Sequence, residues 1–427
     1  MDGAALCKHR TMNGSSRILD NQRRTAAQLI DALERLLTPG TPFLAELRRT
    51  MARHRGLGAR DRRIYRELVF SWLRFRSWYE RVRRDDERAA VDLLAALASD
   101  APDMASWQAD LGVPGGLSFR PWSEMEARLG ELFPGHSFVL RDLMPGWFEF
   151  HCPALFEPGE VLVQMRRPPF WLRAQRGTAA ELVRELTIAN IPASVEPALP
   201  GAVRVTEHVD LDQHPLVVSS QAEIQDIGSQ ALVLMVAPAE NSRWLDFCAG
   251  AGGKTLQLST AVGPRGRVTA HDIRRDALME TKRRVNRAGF RNVTIEPVLP
   301  DPGLAFFDGV LVDVPCSASG TWRRHPFLRH QTTPAVINKY VHDQLRLLER
   351  ASLCVVPGGR LAYSTCSLSQ HENEGVLAAF LRHHRDFEIE PPPFNPGIEP
   401  APSGAVTIMP SVLDSDGYFL ACLRHKA

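Results

Sequence analysis

The sequence lacks long hydrophobic runs. Its most apolar stretches, such as Ala231–Ala237, fall far short of the roughly 20 residues that a membrane-spanning helix needs. The first sixteen residues contain no apolar signal-peptide core, so a cytoplasmic protein with no membrane partner is expected. Cysteine is sparse and scattered, at Cys7, Cys152, Cys248, Cys316, Cys354, Cys366 and Cys422, and no two form a CxxC pair. A disulfide framework and a zinc site are both disfavoured, and free thiols in a reducing compartment with no metal are expected. Excess charge is missing too. The formal net charge is only +2, so global charge does not point to a polyanionic partner.

What is present is ordinary globular composition, 23% charged and 44% hydrophobic, in a 427-residue chain long enough for two or three domains. Charge does concentrate locally. Arg60, Arg62, Arg63, Arg66, Arg74, Arg76, Arg81, Arg83 and Arg84 crowd one segment with few acids between them. Such a run is either a solvated helix face or a nucleic-acid surface.

Residues 1–20 read as a tail. Residues 21–135 read as all-helical, with apolar positions at helical spacing from Gln22 to Leu37 and a helix over Phe43–His54. A third helix is capped by Asp61 and carries Ile64, Leu68, Val69, Trp72, Leu73 and Phe75 inward. Residues 140–220 change character. Short runs such as Trp147–Phe150, Val161–Val163 and Trp171–Arg173, broken by Pro168 and Pro169, suggest a small α+β module. From 221 to 427, strands over Arg243–Phe247, Gly266–His271 (ending at Asp272) and Gly309–Asp313 alternate with helices, and a last pair, Val406–Met409 and Gly417–Arg424, resembles a closing hairpin. The alternation predicts a doubly wound, Rossmann-like parallel sheet.

Three stretches carry the chemistry. In Asp246–Thr255 (DFCAGAGGKT), glycines let the backbone of a strand–helix turn approach a ligand. The dinucleotide pattern GxGxxG fails, because Thr255 stands at the third position. The P-loop pattern nearly fits through Gly253-Lys254-Thr255, but its first glycine falls on Cys248, so an ATPase stays open beside an S-adenosylmethionine loop. Asp272, about 20 residues on, can accept hydrogen bonds from both ribose hydroxyls. It can equally cap the helix that follows. In Asp313–Pro326 (DVPCSASGTWRRHP), an acid and a thiol follow a buried strand, with Trp322, Arg323, Arg324 and His325 offering stacking and phosphate-directed charge for RNA. In Gly358–Ser367 (GGRLAYSTCS), Cys366 ends a strand, either as a nucleophile or as a small buried residue.

Together these stretches resemble the RNA cytosine-5 methyltransferases, as do Gln225-Asp226, Ser229-Gln230, Glu372-Asn373-Glu374 and Asp416-Gly417-Tyr418-Phe419. The likeness covers about 165–427, and residues 22–84 are similar to the NusB-type helical domain of the RsmB subgroup, which methylates small-subunit ribosomal RNA. It implies a seven-stranded, mostly parallel methyltransferase fold and S-adenosylmethionine held by Cys248, Ala249, Gly250, Ala251, Gly252, Gly253, Lys254, Asp272 and Asp313. It also implies Cys366 as the nucleophile on cytosine carbon 6, Asp313 at ring nitrogen 3, Cys316 assisting elimination, and a monomer acting on ribosomal RNA. A transfer-RNA methyltransferase, an ATPase and a non-catalytic RNA-binding factor are the alternatives. The sequence departs from the pattern at Gly250-Ala251 (Ala-Pro in most relatives), at Phe327 (commonly aspartate), and near Leu299-Pro300, where an expected acid is missing and Asp301 is the nearest substitute. The helical domain is also short after about residue 90.

Overall fold

The structure, a computed structural model, describes residues 14–54, 56–98, 102–206, 209–299 and 306–427. Much of the expected tail and Asp301 therefore lie outside the described residues. Two units divide the chain, 1–145 and 146–427.

The first unit is helical: α1 (Gly14–Glu34), α2 (Phe43–Arg53), α3 (Ala59–Arg83), α4 (Glu87–Leu97), α5 (Ala105–Asp110) and α6 (Trp122–Leu132). The inward positions expected on α1 and α3 are buried, including Ala26, Leu29, Ile30, Leu33, Ile64, Leu68 and Trp72. Gly58, not Asp61, is the N-cap of α3; Asp61 sits a turn later and accepts the Gly58 N–H at 3.1 Å. Trp78 anchors the unit, with its ring 5.3 Å from Phe138 and Nε1 donating to the Val139 carbonyl. The arginine run on α3 is largely neutralised by acids from elsewhere in this unit. Arg63 meets Asp103, Arg76 meets Glu34, Arg81 meets Asp142, and Arg83 meets Asp31. Part-exposed pairs like these add little stability, about 0.2–1 kcal/mol each. They do remove charge from the surface that the sequence offered to RNA.

The second unit opens with a correction. Trp147–Phe150 and Val161–Val163 are not strands. The first lies in a 3₁₀ turn, Gly146–Phe150, and the second in α7 (Pro158–Met165), where Pro158 begins the helix at a position that needs no N–H donor. A small antiparallel sheet follows: β1 (Phe170–Ala174), α8 (Ala179–Ile188), β2 (Ala193–Val195), β3 (Ala202–Val205), α9 (Pro215–Val218) and β4 (Ala222–Ile224), in strand order β2-β3-β1-β4. Its last strand lies past residue 220. Its Trp171, Leu199 and Ala202 share one core with Ile227, Trp244 and Leu258 of the following segment.

The main sheet is built from α10 (Ile227–Val236), β5 (Arg243–Asp246), α11 (Gly253–Val262), β6 (Arg267–Ala270), α12 (Arg275–Ala288), β7 (Val293–Ile295) and β8 (Phe307–Asp313). After these come α13 (Pro326–Gln331), α14 (Pro334–Ser352), β9 (Val355–Thr365), α15 (Glu374–His383), β10 (Phe387–Glu390), β11 (Val406–Ile408), α16 (Pro410–Leu413) and β12 (Tyr418–His425). The order β10-β12-β9-β8-β5-β6-β7, with β11 on β12, gives eight strands, one more than expected. The extra strands lie at the antiparallel edge; β10 and β11 both pair with β12. The expected closing pair forms, β11 antiparallel to β12, with α16 in its connection. From β7 to β9 the strands are parallel. They are buried on both faces, as Val310, Leu311 and Val312 show. Strand order reverses between β5 and β8, and in open α/β sheets ligands bind at the carboxyl ends of such a reversal.

Candidate active site

Three strand ends meet at this point. Asp246 closes β5, Asp313 closes β8, and Cys366 directly follows β9. The glycine loop connects β5 to α11. Gly252 has φ +87°, and a Cβ there would lie 2.8 Å from Thr281 Cγ2, so only glycine fits. Helix α12 holds the loop from outside: Thr281 Oγ1 donates to the Gly250 carbonyl at 2.8 Å, and Arg284 to that of Ala251 at 2.8 Å. Inside lies a cavity of about 450 Å³. Cys248, Ala249, Gly250, Ala251, Gly253, Lys254, Asp272 and Asp313 line it, while Gly252 shapes the turn from behind.

Charges in the cavity are strongly coupled to burial. Asp246 accepts from Thr255 Oγ1 at 2.6 Å, while its other oxygen is buried without a partner. Burial pushes this carboxyl up to about 7. Asp272 accepts from Gly250 N–H at 2.9 Å, but both its oxygens also receive Arg274. Burial alone would raise Asp272; the Arg274 and Gly250 hydrogen bonds hold it below the ordinary range. The expected ribose acceptor is thus also the ion-pair partner of Arg274, whose side chain is 61% exposed and able to move away. Lys254 Nζ meets Asp313 Oδ2 at 2.7 Å, and Ser364 Oγ donates to Asp313 Oδ1. Burial would lower Lys254, but Asp313, Asp246 and Cys366 raise it, so it stays an ammonium.

The two expected thiols are brought together: Cys316 Sγ lies 3.2 Å from Cys366 Sγ. The hydrogen bond to Cys366 raises Cys316 well above the ordinary thiol range, with burial and the charges of Cys366 and Glu372 adding to it. Cys316 therefore favours its protonated form. Cys248 is raised as well, by burial, and packs as a partly buried apolar residue at the cavity wall.

The expected RNA contacts are placed differently. Trp322 is buried, with its ring 4.6 Å from Phe148. Arg323 is buried too and pairs with Asp414 at 2.6 Å. Arg324 bridges Asp416 at 2.8 Å and Asp226 at 2.9 Å. His325 is held low by burial and packs on Phe327. Trp322, Arg323 and Arg324 brace the loop from within, while Arg324 and His325 stay partly exposed. The sequence reading also missed Gln344, which reaches Pro315 and Glu372 from α14. A signal existed, because Gln344 is a polar residue on the inward stripe that includes Ile337, Leu348 and Ala351.

Residues 233–424 match the family model described as 16S rRNA methyltransferase RsmB/F. That segment is similar to the RsmB/F family. It contains the glycine loop, Asp313 and both thiols. Ribosomal RNA small subunit methyltransferase B of Yersinia pseudotuberculosis is 32% identical over 267 residues, as is that of Yersinia pestis. The match spans 61% of this chain and 61% of each relative. Among solved structures, a methyltransferase homolog protein from Pyrococcus horikoshii is 26% identical with a TM-score of 0.57, over 71% of this chain and 99% of that one. PH0851 shares the fold at 20% identity and a TM-score of 0.68, over 94% and 98% of the two chains. The RsmB/F segment thus carries a Rossmann-like methyltransferase fold, as its motifs imply.

Proposed function

We propose that this protein transfers a methyl group from S-adenosylmethionine to carbon 5 of a cytosine in ribosomal RNA, through a transient bond between Cys366 and carbon 6. The observation that carries this reading is the thiol pair, 3.2 Å apart beside the Lys254–Asp313 ion pair and next to the glycine-loop cavity. The cavity fits the cofactor. Its volume is that of a small-molecule site. Its buried Asp246 oxygen lacks a donor, and its loop admits no Cβ at Gly252. Cys248–Lys254, Asp272 and Asp313 would hold S-adenosylmethionine there. When bound, it supplies an electrophilic methyl group.

Carbon 5 of cytosine is a weak nucleophile until sulfur adds to the ring. Cys366 gives its proton to solvent, its sulfur bonds to carbon 6, and the displaced π pair makes carbon 5 the nucleophile. Asp313, already a hydrogen-bond acceptor and ion-paired, is suited to hold the ring's exocyclic amino group. The positive charge that offsets the electron-rich ring belongs to Lys254. This shifts part of the role expected of Asp313 onto its partner. After transfer, a base takes the carbon 5 proton, the double bond re-forms, and sulfur leaves carbon 6. Two of the causes that hold the proton on Cys316, its hydrogen bond to Cys366 and the charge there, vanish once Cys366 is a neutral thioether. Burial and Glu372 still favour the thiol, but without those two causes Cys316 ionises more readily, gives its proton to solvent and acts as that base. The target base must leave its stack, since sulfur cannot reach carbon 6 within a helix.

The test combines the protein, ribosomal RNA and radiolabelled S-adenosylmethionine. Cys366→Ala should abolish methylation, and Cys316→Ala should accumulate a denaturant-stable protein–RNA adduct. Full methylation by Cys366→Ala would refute the reading.

A further inference from the structure

Behind the thiols lies a closed set of polar groups with a carboxylate at its centre. Glu372 is fully buried. Its Oε1 accepts Ser317 N–H at 2.8 Å and Gln344 Nε2 at 3.0 Å. Its Oε2 accepts the Ser317 hydroxyl, and that of Ser367 at 2.6 Å. Gln344 Nε2 also donates to the Pro315 carbonyl at 3.0 Å. The next residue, Asn373, accepts from Thr365 Oγ1 at 2.7 Å and donates to the Ser367 carbonyl at 2.9 Å. Pro315 and Ser317 flank Cys316, and Thr365 and Ser367 flank Cys366. All four flanking residues are therefore tied to one dipeptide, directly or through Gln344.

We propose that Glu372, with Asn373, is a positioning residue that splints the two thiol loops at their working separation. A carboxylate suits the task because four donors converge on it, two on each oxygen. All four donors aimed at the carboxylate are satisfied, and of this set only the Gln344 Oε1 is left without a partner, so these groups favour one arrangement and hold the loops in it. Spacing matters because the two sulfurs must serve adjacent ring atoms, and a misplacement of about 1 Å can cost roughly 100-fold in rate. The consequence for rate rests on the cytosine-5 reading, whereas the splint itself does not.

Two readouts separate these parts. The first uses phenylarsine oxide, which takes two neighbouring thiols: both S–H protons leave with the oxygen as water, two As–S bonds form, and arsenic stays trivalent. Peptide mapping of the RNA-free protein reports the Cys316–Cys366 bridge, with Cys316→Ser as the blank. The second is steady-state methylation. Glu372→Gln keeps an acceptor toward Ser317 N–H and Gln344, and its amide can donate to the two hydroxyls, which rotate to accept. It should retain bridging and turnover within about 10-fold of the native protein, whereas Glu372→Ala should lose about 100-fold in kcat with KM for RNA little changed. Bridging in Glu372→Ala should fall in parallel. Gln344→Met removes only the brace to Pro315 and should show the same pattern more weakly, which covers the case in which Glu372→Ala does not fold. Native-like bridging in Glu372→Ala, or in Gln344→Met if the former fails to fold, would overturn the splint. So would a loss in Glu372→Gln as large as in Glu372→Ala. If no RNA is methylated but the bridging pattern holds, the splint stands and the cytosine-5 reading falls.

Discussion

Replacing Arg324 by methionine distinguishes a structural role from an RNA-binding one. Its guanidinium joins two carboxylates, Asp226 and Asp416, whose side chains are only 7% and 4% exposed. Removing the cation leaves two buried acids facing each other, and breaking a buried pair costs about 3–5 kcal/mol. Arg324 keeps 28% of its side chain exposed, so the lower end applies, about 3 kcal/mol. At roughly 2–4 °C per kcal/mol for a unit of this size, melting should fall by about 6–12 °C. The effect should depend on pH. Burial and Asp416 raise Asp226 above the ordinary carboxyl range. The folded state therefore binds that proton more tightly than the unfolded chain, and stability declines as pH rises from about 4 toward neutrality. Without the arginine Asp226 is raised further, so the deficit should be larger near pH 8 than near pH 5.5. Circular-dichroism melts at the two pH values, with RNA filter binding alongside, make the measurement. A variant that melts within about 1 °C of the native protein yet loses RNA binding would refute the bracing role and restore Arg324 to the RNA surface.

Other perturbations follow from the same geometry. Gly252→Ala places a Cβ against Thr281 and should cost about 1–3 kcal/mol while weakening S-adenosylmethionine binding by calorimetry; an unchanged affinity would count against the loop as the cofactor cradle. Asp246, raised to about 7 by burial, makes the ligand-free protein lose stability as pH climbs from about 4 to 7; Asp246→Asn should flatten that slope in denaturant titrations. Phe150 is 69% exposed, and its carbonyl is held by Gln370, four residues past Cys366. If a neighbouring base stacks on it, Phe150→Ala should weaken RNA binding by about 5- to 150-fold with little change in melting, given about 1–3 kcal/mol per stacked base.

The sequence made some features of the site readable and hid others for physical reasons. Parallel strands buried on both faces produce apolar runs that end in acids, so Asp246 and Asp313 could be located, as could the glycine turn between them. The thiol pair could be anticipated, since both cysteines follow such runs. Charge partnership could not. The acids that neutralise Arg324 lie 98 and 92 residues away in sequence, so a run that looks basic and exposed is buried and paired. On α3 several arginines stay exposed but find distant acids, as where Glu34 is 42 residues from Arg76. Aromatic alternation at Trp147–Phe150 imitated a strand, although its rings pack around a 3₁₀ turn. Edge strands β10 and β11 are short and bounded by proline-rich chain, which leaves little periodicity to detect.

The distant motifs are best understood as one device. Asp226, at the N-cap of α10, and Asp416, before β12, clamp Arg324 from both sides. The residue after Asp416 is Gly417, whose N–H donates to the Gly320 carbonyl at 2.8 Å, while Gly320 N–H donates to the Cys366 carbonyl at 2.9 Å. A Cβ on Gly320 would lie 2.1 Å from the Gly417 carbonyl oxygen, so the two backbones cross where no side chain fits. The chain end is thereby tied to the Cys366 turn, and the arginine that resembled an RNA contact supplies the charge that keeps Asp416 in place. Residues spread from 226 to 417 therefore act on two sulfur atoms that none of them touches. Substitutions at Arg324 or Gly417 should accordingly disturb the thiols before they disturb the cofactor cavity.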